Sequence, residues 1–251
     1  MPAEKTDAIV IRSVDWSETS LILTLFTRDF GKVHGLAKGG RRLKGPFESA
    51  LDLLGLSRIV FLRKSSDGLD LLTEAKLVRR FRPAGRDLSS LYAGYYVAEL
   101  LDALTDDYDP HRELFELADE TLVALSSGEP VARWTLRFEL CALRMLGHFP
   151  SLDRCVECGA EVPSVGRVAF GQLDGGVLCP RCREGKQQVA TVHGGTLRVL
   201  AQMAQPGGQI WRRIEIEPGS LGEVRGLVNR YLCNLLGHKP RLHEYLGLLS
   251  G

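Results

Sequence analysis

Four cysteines stand in two C-x-x-C pairs, Cys155 with Cys158 and Cys179 with Cys182, and twenty residues separate the pairs. Thiolates at that spacing can close a tetrahedral cage around one zinc ion. Each tight turn presents two sulfurs, and the stretch between is long enough to bring the second turn back. Gly159 after the first pair and Pro180 inside the second are turn residues. Two redox pairs or two disulfides are the alternatives, but no βαβ pattern flanks either pair. Four sulfurs leave no position for water, so the expected Zn2+ is structural and does no chemistry.

The second chemical feature is basic. Lys38, Arg41, Arg42 and Lys44 are interleaved with Gly39, Gly40 and Gly45. Glycines let a loop approach a phosphate closely, and the cations neutralise it with release of counterions. The expected nucleic-acid contacts are Lys32, Lys38, Arg41, Arg42, Lys44, Arg63 and Lys64, against the alternative of a solvated loop. Trp16 and Phe30 sit beside turns and are candidates for base stacking, whereas Phe26, Phe47 and Phe61 are expected in a core. A third set is Arg133 and Arg137, spaced i,i+4 beside Trp134 and Phe138. They mark either an ordinary amphipathic surface or an apolar groove with a guanidinium at its mouth, suited to a partner's acidic peptide end.

Catalysis finds little support. No G-x-x-x-x-G-K-[ST] loop is present, the histidines are scattered, and His243-Glu244 lacks a second metalloprotease histidine. Asp106, Asp107 and Asp109 precede Pro110 and fit a capped turn better than a magnesium site. The chain is expected not to be an enzyme.

The elements that would carry these residues fall into two kinds. Strand patterns cover 6–16, 19–28, 33–37, 51–63 and 69–81, with short turns and one longer loop. Five such strands suit an OB-fold, with an SH3-like barrel as the rival. After Pro83 the period becomes helical. Helices are expected from about Leu88 to Leu104, from Asp109-Pro110 to Ser126, and from Pro130 to Gly147. Short strands are expected at 165–170 and 176–178, and helices at 195–205, 221–236 and 241–249. The fold class is therefore α+β: an OB-fold barrel over 1–82, then a helical domain over 83–251 with a zinc knuckle inserted at about 150–190.

Composition is ordinary for a globular protein, with 44% hydrophobic and 25% charged residues among 251. The net charge of +1 is unevenly spread. Residues 1–82 hold 15 Lys and Arg against 10 Asp and Glu, 83–150 hold 5 against 12, and 151–251 hold 12 against 9. An anionic partner thus fits the first third best. No apolar run reaches the roughly 20 residues of a membrane helix. Met1 to Asp7 lacks an apolar leader, and a thiolate site fits a reducing compartment, so a cytoplasmic location is expected.

The chain resembles the RecO family of bacterial recombination mediators. The resemblance rests on Thr6 to Arg12, on Glu18-Thr19-Ser20, on Phe30-Gly31-Lys32-Val33 and on Ala37 to Arg42. It continues through Leu72-Thr73-Glu74-Ala75, Arg137-Phe138-Glu139-Leu140, Leu146-Gly147-His148 and the two cysteine pairs. It implies single- and double-stranded DNA binding, annealing of complementary strands and no enzymatic turnover. It also implies partnership with RecR and with the C-terminal tail of single-stranded-DNA-binding protein, and help in loading recombinase at gaps. On that basis the first-barrel cations look like DNA contacts, and Arg133 or Arg137 are candidates for the tail site. A zinc-containing DNA-binding adaptor without annealing activity is the alternative.

Overall fold

The computed structural model describes residues 3–42, 45–47, 50–64, 68–84, 88–207, 210–216, 218–242 and 245. The chain forms two compact units, residues 1–135 with 244–251, and residues 136–243.

In the first unit, five strands close into a barrel in the order β1-β2-β3-β5-β4. They are β1 (Ala3–Asp15), β2 (Leu21–Thr27), β3 (Gly31–Ala37), β4 (Leu56–Leu62) and β5 (Asp70–Arg79). All neighbours are antiparallel except β3 and β5, which run parallel from Gly35 opposite Asp70. Side chains alternate across each strand, so Val10, Leu23, Leu25, Val33, Ile59 and Phe61 fill the interior. A register shift between Val10 and Arg12 bends β1, and the Val10 carbonyl and amide pair with Leu54 and Gly55.

Two helices, α1 (Ser89–Leu104) and α2 (Arg112–Ser126), belong to the same compact unit as the barrel. Phe26 of β2 meets Phe115 of α2 with ring centroids 6.2 Å apart. Gly31 begins β3 at φ +67°, and a β-carbon there would fall on the backbone carbonyl of Asp109. Only glycine permits both the turn and that close approach. The change of sequence period at Pro83 marks where strands give way to helices, whereas compactness groups these helices with the barrel they cover. Helix α3 (Val131–Met145) carries the chain across the division at residues 135 and 136.

The second unit holds a three-stranded antiparallel sheet, order β7-β6-β8, from β6 (Arg167–Gly171), β7 (Gly176–Leu178) and β8 (Val189–His193). Helix α4 (Gly194–Met203), a 3-10 turn (Ile210–Arg213) and α5 (Pro218–Leu236) complete it. Glu139 of α3 is 0% exposed and accepts two hydrogen bonds from Arg225 of α5, at 2.5 and 3.2 Å. Most of the helix expected over 241–249 lies outside the described residues, as do Lys44 and the His243-Glu244 pair. Among the described residues, no helix is long and apolar enough to cross a membrane.

Candidate metal centre and nucleic-acid interface

The two cysteine turns converge. All four Sγ atoms lie within 4.8 Å of one another, and Cys158 and Cys179 are 3.8 Å apart. Zinc–sulfur bonds of about 2.3 Å in a tetrahedron require sulfurs about 3.8 Å apart, so the four side chains fit that ion. All six cysteines are free thiols, which removes the disulfide alternative here. The first turn is closed by the Gly159 amide donating to the Cys155 carbonyl at 2.8 Å, with Gly159 at φ +71°. The second is closed by the amides of Cys182 and Arg183, both donating to the Cys179 carbonyl at 3.1 Å. Strand β7 runs directly into Cys179, and the Val156 amide donates to the Val177 carbonyl, so the small sheet sets one turn against the other.

The electrostatics favour thiolates. Burial pushes the Cys155 thiol up, but hydrogen bonds from the backbone amides of Cys179, Cys158 and Glu157 outweigh it and bring the pKa down to about 6. Backbone hydrogen bonding, led by Cys182, lowers Cys179 as well. Cys182 is pushed up to about 12, chiefly by its hydrogen bond with Cys179 and then that with Cys158, because a negative cluster without a cation cannot ionise throughout. A divalent ion removes that conflict. Lys186 braces the module by pairing with Glu157 at 2.5 Å and with Asp174 at 2.6 Å. Among the described residues, these four cysteines are the group of His, Cys, Asp or Glu side chains placed to hold a metal.

The barrel sorts the predicted DNA contacts differently from the sequence. Pairing of Leu21 with Ala37 sets the end of β3 beside the β1–β2 turn, whereas β4 runs antiparallel to β5 and ends beside Ala3 and Leu71, towards the start of β3 at the opposite end of the barrel. Lys38, Arg41 and Arg42 follow β3 at the first of these ends, and Arg63 and Lys64 follow β4 at the other, near Tyr108 and Lys32; all five are exposed. Lys38 and Arg42 form no ion pair among the described residues. Arg41 pairs with Asp15 at 3.3 Å, a solvent-exposed contact of little energetic weight. The Arg63 guanidinium lies 4.0 Å from the centre of the Tyr108 ring, whose hydroxyl donates to Asp70. Burial, followed by the hydrogen bond to Asp70, raises the Tyr108 pKa, so the phenol stays protonated.

Three expectations change. Lys32 is 9% exposed and donates to the Asp102 carbonyl at 2.7 Å, with the carboxylates of Asp102 and Asp107 at 3.5 and 3.8 Å. It ties the barrel to α1 and does not face a phosphate. Arg137 is 5% exposed, donates to the Met203 carbonyl and lies 5.1 Å from the Trp211 ring, so it is a core residue and not the mouth of a groove. Arg133 is half-buried on the first turn of α3. Phe30 packs edge-on against Phe61 at 5.5 Å and belongs to the barrel core, whereas Trp16 is 66% exposed. The acidic trio is structural in two of its members: Asp107 pairs with His34 at 3.1 Å as well as with Lys32, and Asp109 with His111 at 3.0 Å. What sequence reasoning missed is that Tyr108 joins Asp70 and Arg63, because Tyr108 lies far along the chain from both and carries no local motif.

Two family models together match nearly the whole chain: recombination protein O N terminal over residues 1–81, and recombination protein O C terminal over residues 85–243. The chain belongs to the RecO family. A DNA repair protein RecO from Rhodopirellula baltica is 42% identical over 95% of this chain and 97% of its own length. The RecO of Anaeromyxobacter dehalogenans is 33% identical over 98% of this chain and 96% of its own length. That of Moorella thermoacetica is 29% identical over 98% and 91%. Two RecO-family models thus meet between residues 81 and 85, where the strands end and the helices begin.

Proposed function

We propose that this RecO family member binds single- and double-stranded DNA through its barrel and promotes pairing of complementary strands during recombinational repair. The observation that carries the reading is the exposed set Lys38, Arg41 and Arg42, held on a loop at the barrel rim beside the β1–β2 turn, while Arg63 and Lys64 are exposed at the opposite end. A strand order of β1-β2-β3-β5-β4 with parallel β3 and β5 supports treating residues 1–82 as an OB-fold, a barrel that presents its loops to polynucleotides. The remaining residues, 83–251, form the helical domain that meets protein partners, with Cys155, Cys158, Cys179 and Cys182 holding a structural Zn2+ at its inserted knuckle.

Mechanism follows from charge. Two strands repel one another along their phosphates, and a basic surface touching both lowers that repulsion without nucleotide turnover. Family membership supports RecR, and the C-terminal tail of single-stranded-DNA-binding protein, as partners that deliver the protein to coated gaps where recombinase is loaded. Docking on the coating protein raises the local concentration of the barrel at the strand. Action at bacterial DNA places the protein in the cytoplasm, at the nucleoid during repair.

The test mixes complementary labelled oligonucleotides with the purified chain, without any nucleotide, and follows duplex formation by energy transfer. Acceleration that is lost in the Lys38→Ala/Arg41→Ala/Arg42→Ala variant is the expected result. DNA binding without acceleration would assign the adaptor role instead, and no binding at low salt would remove the proposal.

A further inference from the structure

The outside of the barrel carries a row of side chains that an ordinary solvated surface would not select. Leu23 and Leu25 point inward, so their neighbour Ile22 points out. The ladders set Ile22 beside Val14 of β1 and Leu36 of β3, and Leu36 beside Leu71 of β5. Val14 is 44% exposed and the other three are half-buried. Two positions beyond Val14, in the turn after β1, stands Trp16. The other two tryptophans, Trp134 and Trp211, are buried at 2% and 5% exposure, so this indole is set apart by its environment.

The turn that carries it is built, not loose. The amides of Trp16 and Ser17 donate to the Ser20 carbonyl at 3.1 and 3.4 Å, and the Ser20 amide donates to the Ser17 hydroxyl at 3.2 Å. The basic loop is fastened to the same turn. The Arg41 amide donates to the Thr19 carbonyl at 3.1 Å, and its guanidinium donates to the Ser17 carbonyl at 3.2 Å. At the far end of the β2–β3 face, Phe26 is covered by Phe115, and Lys32 and His34 are engaged by Asp107. On this face that carboxylate repels phosphate, which leaves the end near Trp16 as the open path.

We propose that Trp16 stacks on an unpaired nucleobase and that the Val14–Ile22–Leu36 row supports the bases beside it, while Lys38, Arg41 and Arg42 hold the intervening phosphates. The occupant is single-stranded polynucleotide. An exposed aromatic and an apolar strip match base faces, the adjoining cations match the backbone, and a duplex keeps its base faces stacked inside. Trp16 therefore sets the preference for unpaired strands, whereas the cations serve both forms. The inference rests on the proposed DNA binding by the barrel and adds the residue that reads strandedness.

Full-length protein and its Trp16→Ala and Trp16→Phe variants are titrated with an oligothymidylate and with a mixed-sequence duplex, reading anisotropy of labelled DNA and intrinsic indole emission. Stacking predicts quenching of wild-type emission by the oligothymidylate. It also predicts a loss of single-strand affinity in Trp16→Ala of about 5- to 150-fold, with duplex affinity unchanged and Trp16→Phe largely restored. Equal single-strand affinity in wild type and Trp16→Ala would overturn the role of Trp16 and leave the cation loop standing. Failure of the wild type to bind either DNA would remove both this inference and the function it extends. Self-association of the protein without DNA that disappears in Trp16→Ala would assign the face to a second copy and also overturn it.

Discussion

Lys32 and Lys38 stand on the same strand and its following loop, yet their surroundings give them opposite roles. Lys32 is enclosed by the Asp102 carbonyl and two carboxylates, while Lys38 is exposed. Replacing Lys32 with Met leaves an acidic pocket without its cation and should lower stability by about 1.5–3 kcal/mol, with single-strand affinity unchanged. Lys38→Ala should do the reverse, and urea unfolding beside DNA anisotropy separates the two. The Glu139–Arg225 pair is a sharper case, because Glu139 has no contact with solvent. Glu139→Ala leaves the Arg225 charge without its carboxylate, although Asn229 still accepts one of its bonds, and should cost about 3–5 kcal/mol of unfolding free energy. Replacing both partners with Leu should recover much of that, since the cost comes from the unpaired charge more than from the bond.

At the scale of elements, alternating apolar patterns made the five barrel strands accessible from the sequence, while their order around the barrel came from the structure. Gly31 begins β3 after the turn from β2, and the structure puts it at positive φ against Asp109. Gly31→Ala should therefore destabilise the first unit by more than about 1 kcal/mol, measurable as a shift in thermal midpoint. The strand expected over 51–63 pairs only from Leu56 onward. Leu51 and Leu54 are apolar because they are buried with Phe47 and Ala50, and Leu54 adopts φ 63°, which no apolar count reveals. Strand β8 escaped notice because Val189–His193 is short and its pairing partner, β6, is distant in sequence. The second helix was expected from Asp109-Pro110 but begins at Arg112, since Tyr108 turns the chain at positive φ and its amide donates to the Lys32 carbonyl. The cysteine turns were readable because ligand spacing is a local signal. Whether Lys32 or Arg137 was free depended on Asp102 and Met203, residues no window around either would include. If those turns hold Zn2+ as proposed, Cys155→Ser with Cys182→Ser should lower the thermal stability of residues 136–243 well before single-strand binding by the barrel weakens. Treatment with a strong chelator should reproduce that order, and loss of DNA binding at the same temperature as loss of the knuckle would contradict it.

Across the whole molecule, a net charge of only +1 gives no general attraction to polynucleotides. The acidic stretch over 83–150, with 12 Asp and Glu against 5 Lys and Arg, repels phosphate, and part of its charge is spent on Lys32 and Arg79. The proposed binding therefore rests on a few cations at the barrel rim acting over a short range. Salt dependence measures how many. Each phosphate neutralised on a single strand contributes about −0.7 to the slope of log affinity against log salt. Removing Lys38, Arg41 and Arg42 together should make that slope shallower by about 2, with affinity at low salt falling more than affinity at high salt. Trp16→Ala should lower affinity at every salt concentration and leave the slope where it was, because stacking releases no counterions. Parallel slopes for the triple variant and the wild type would mean that the phosphates lie elsewhere, whatever happens to affinity at a single salt concentration.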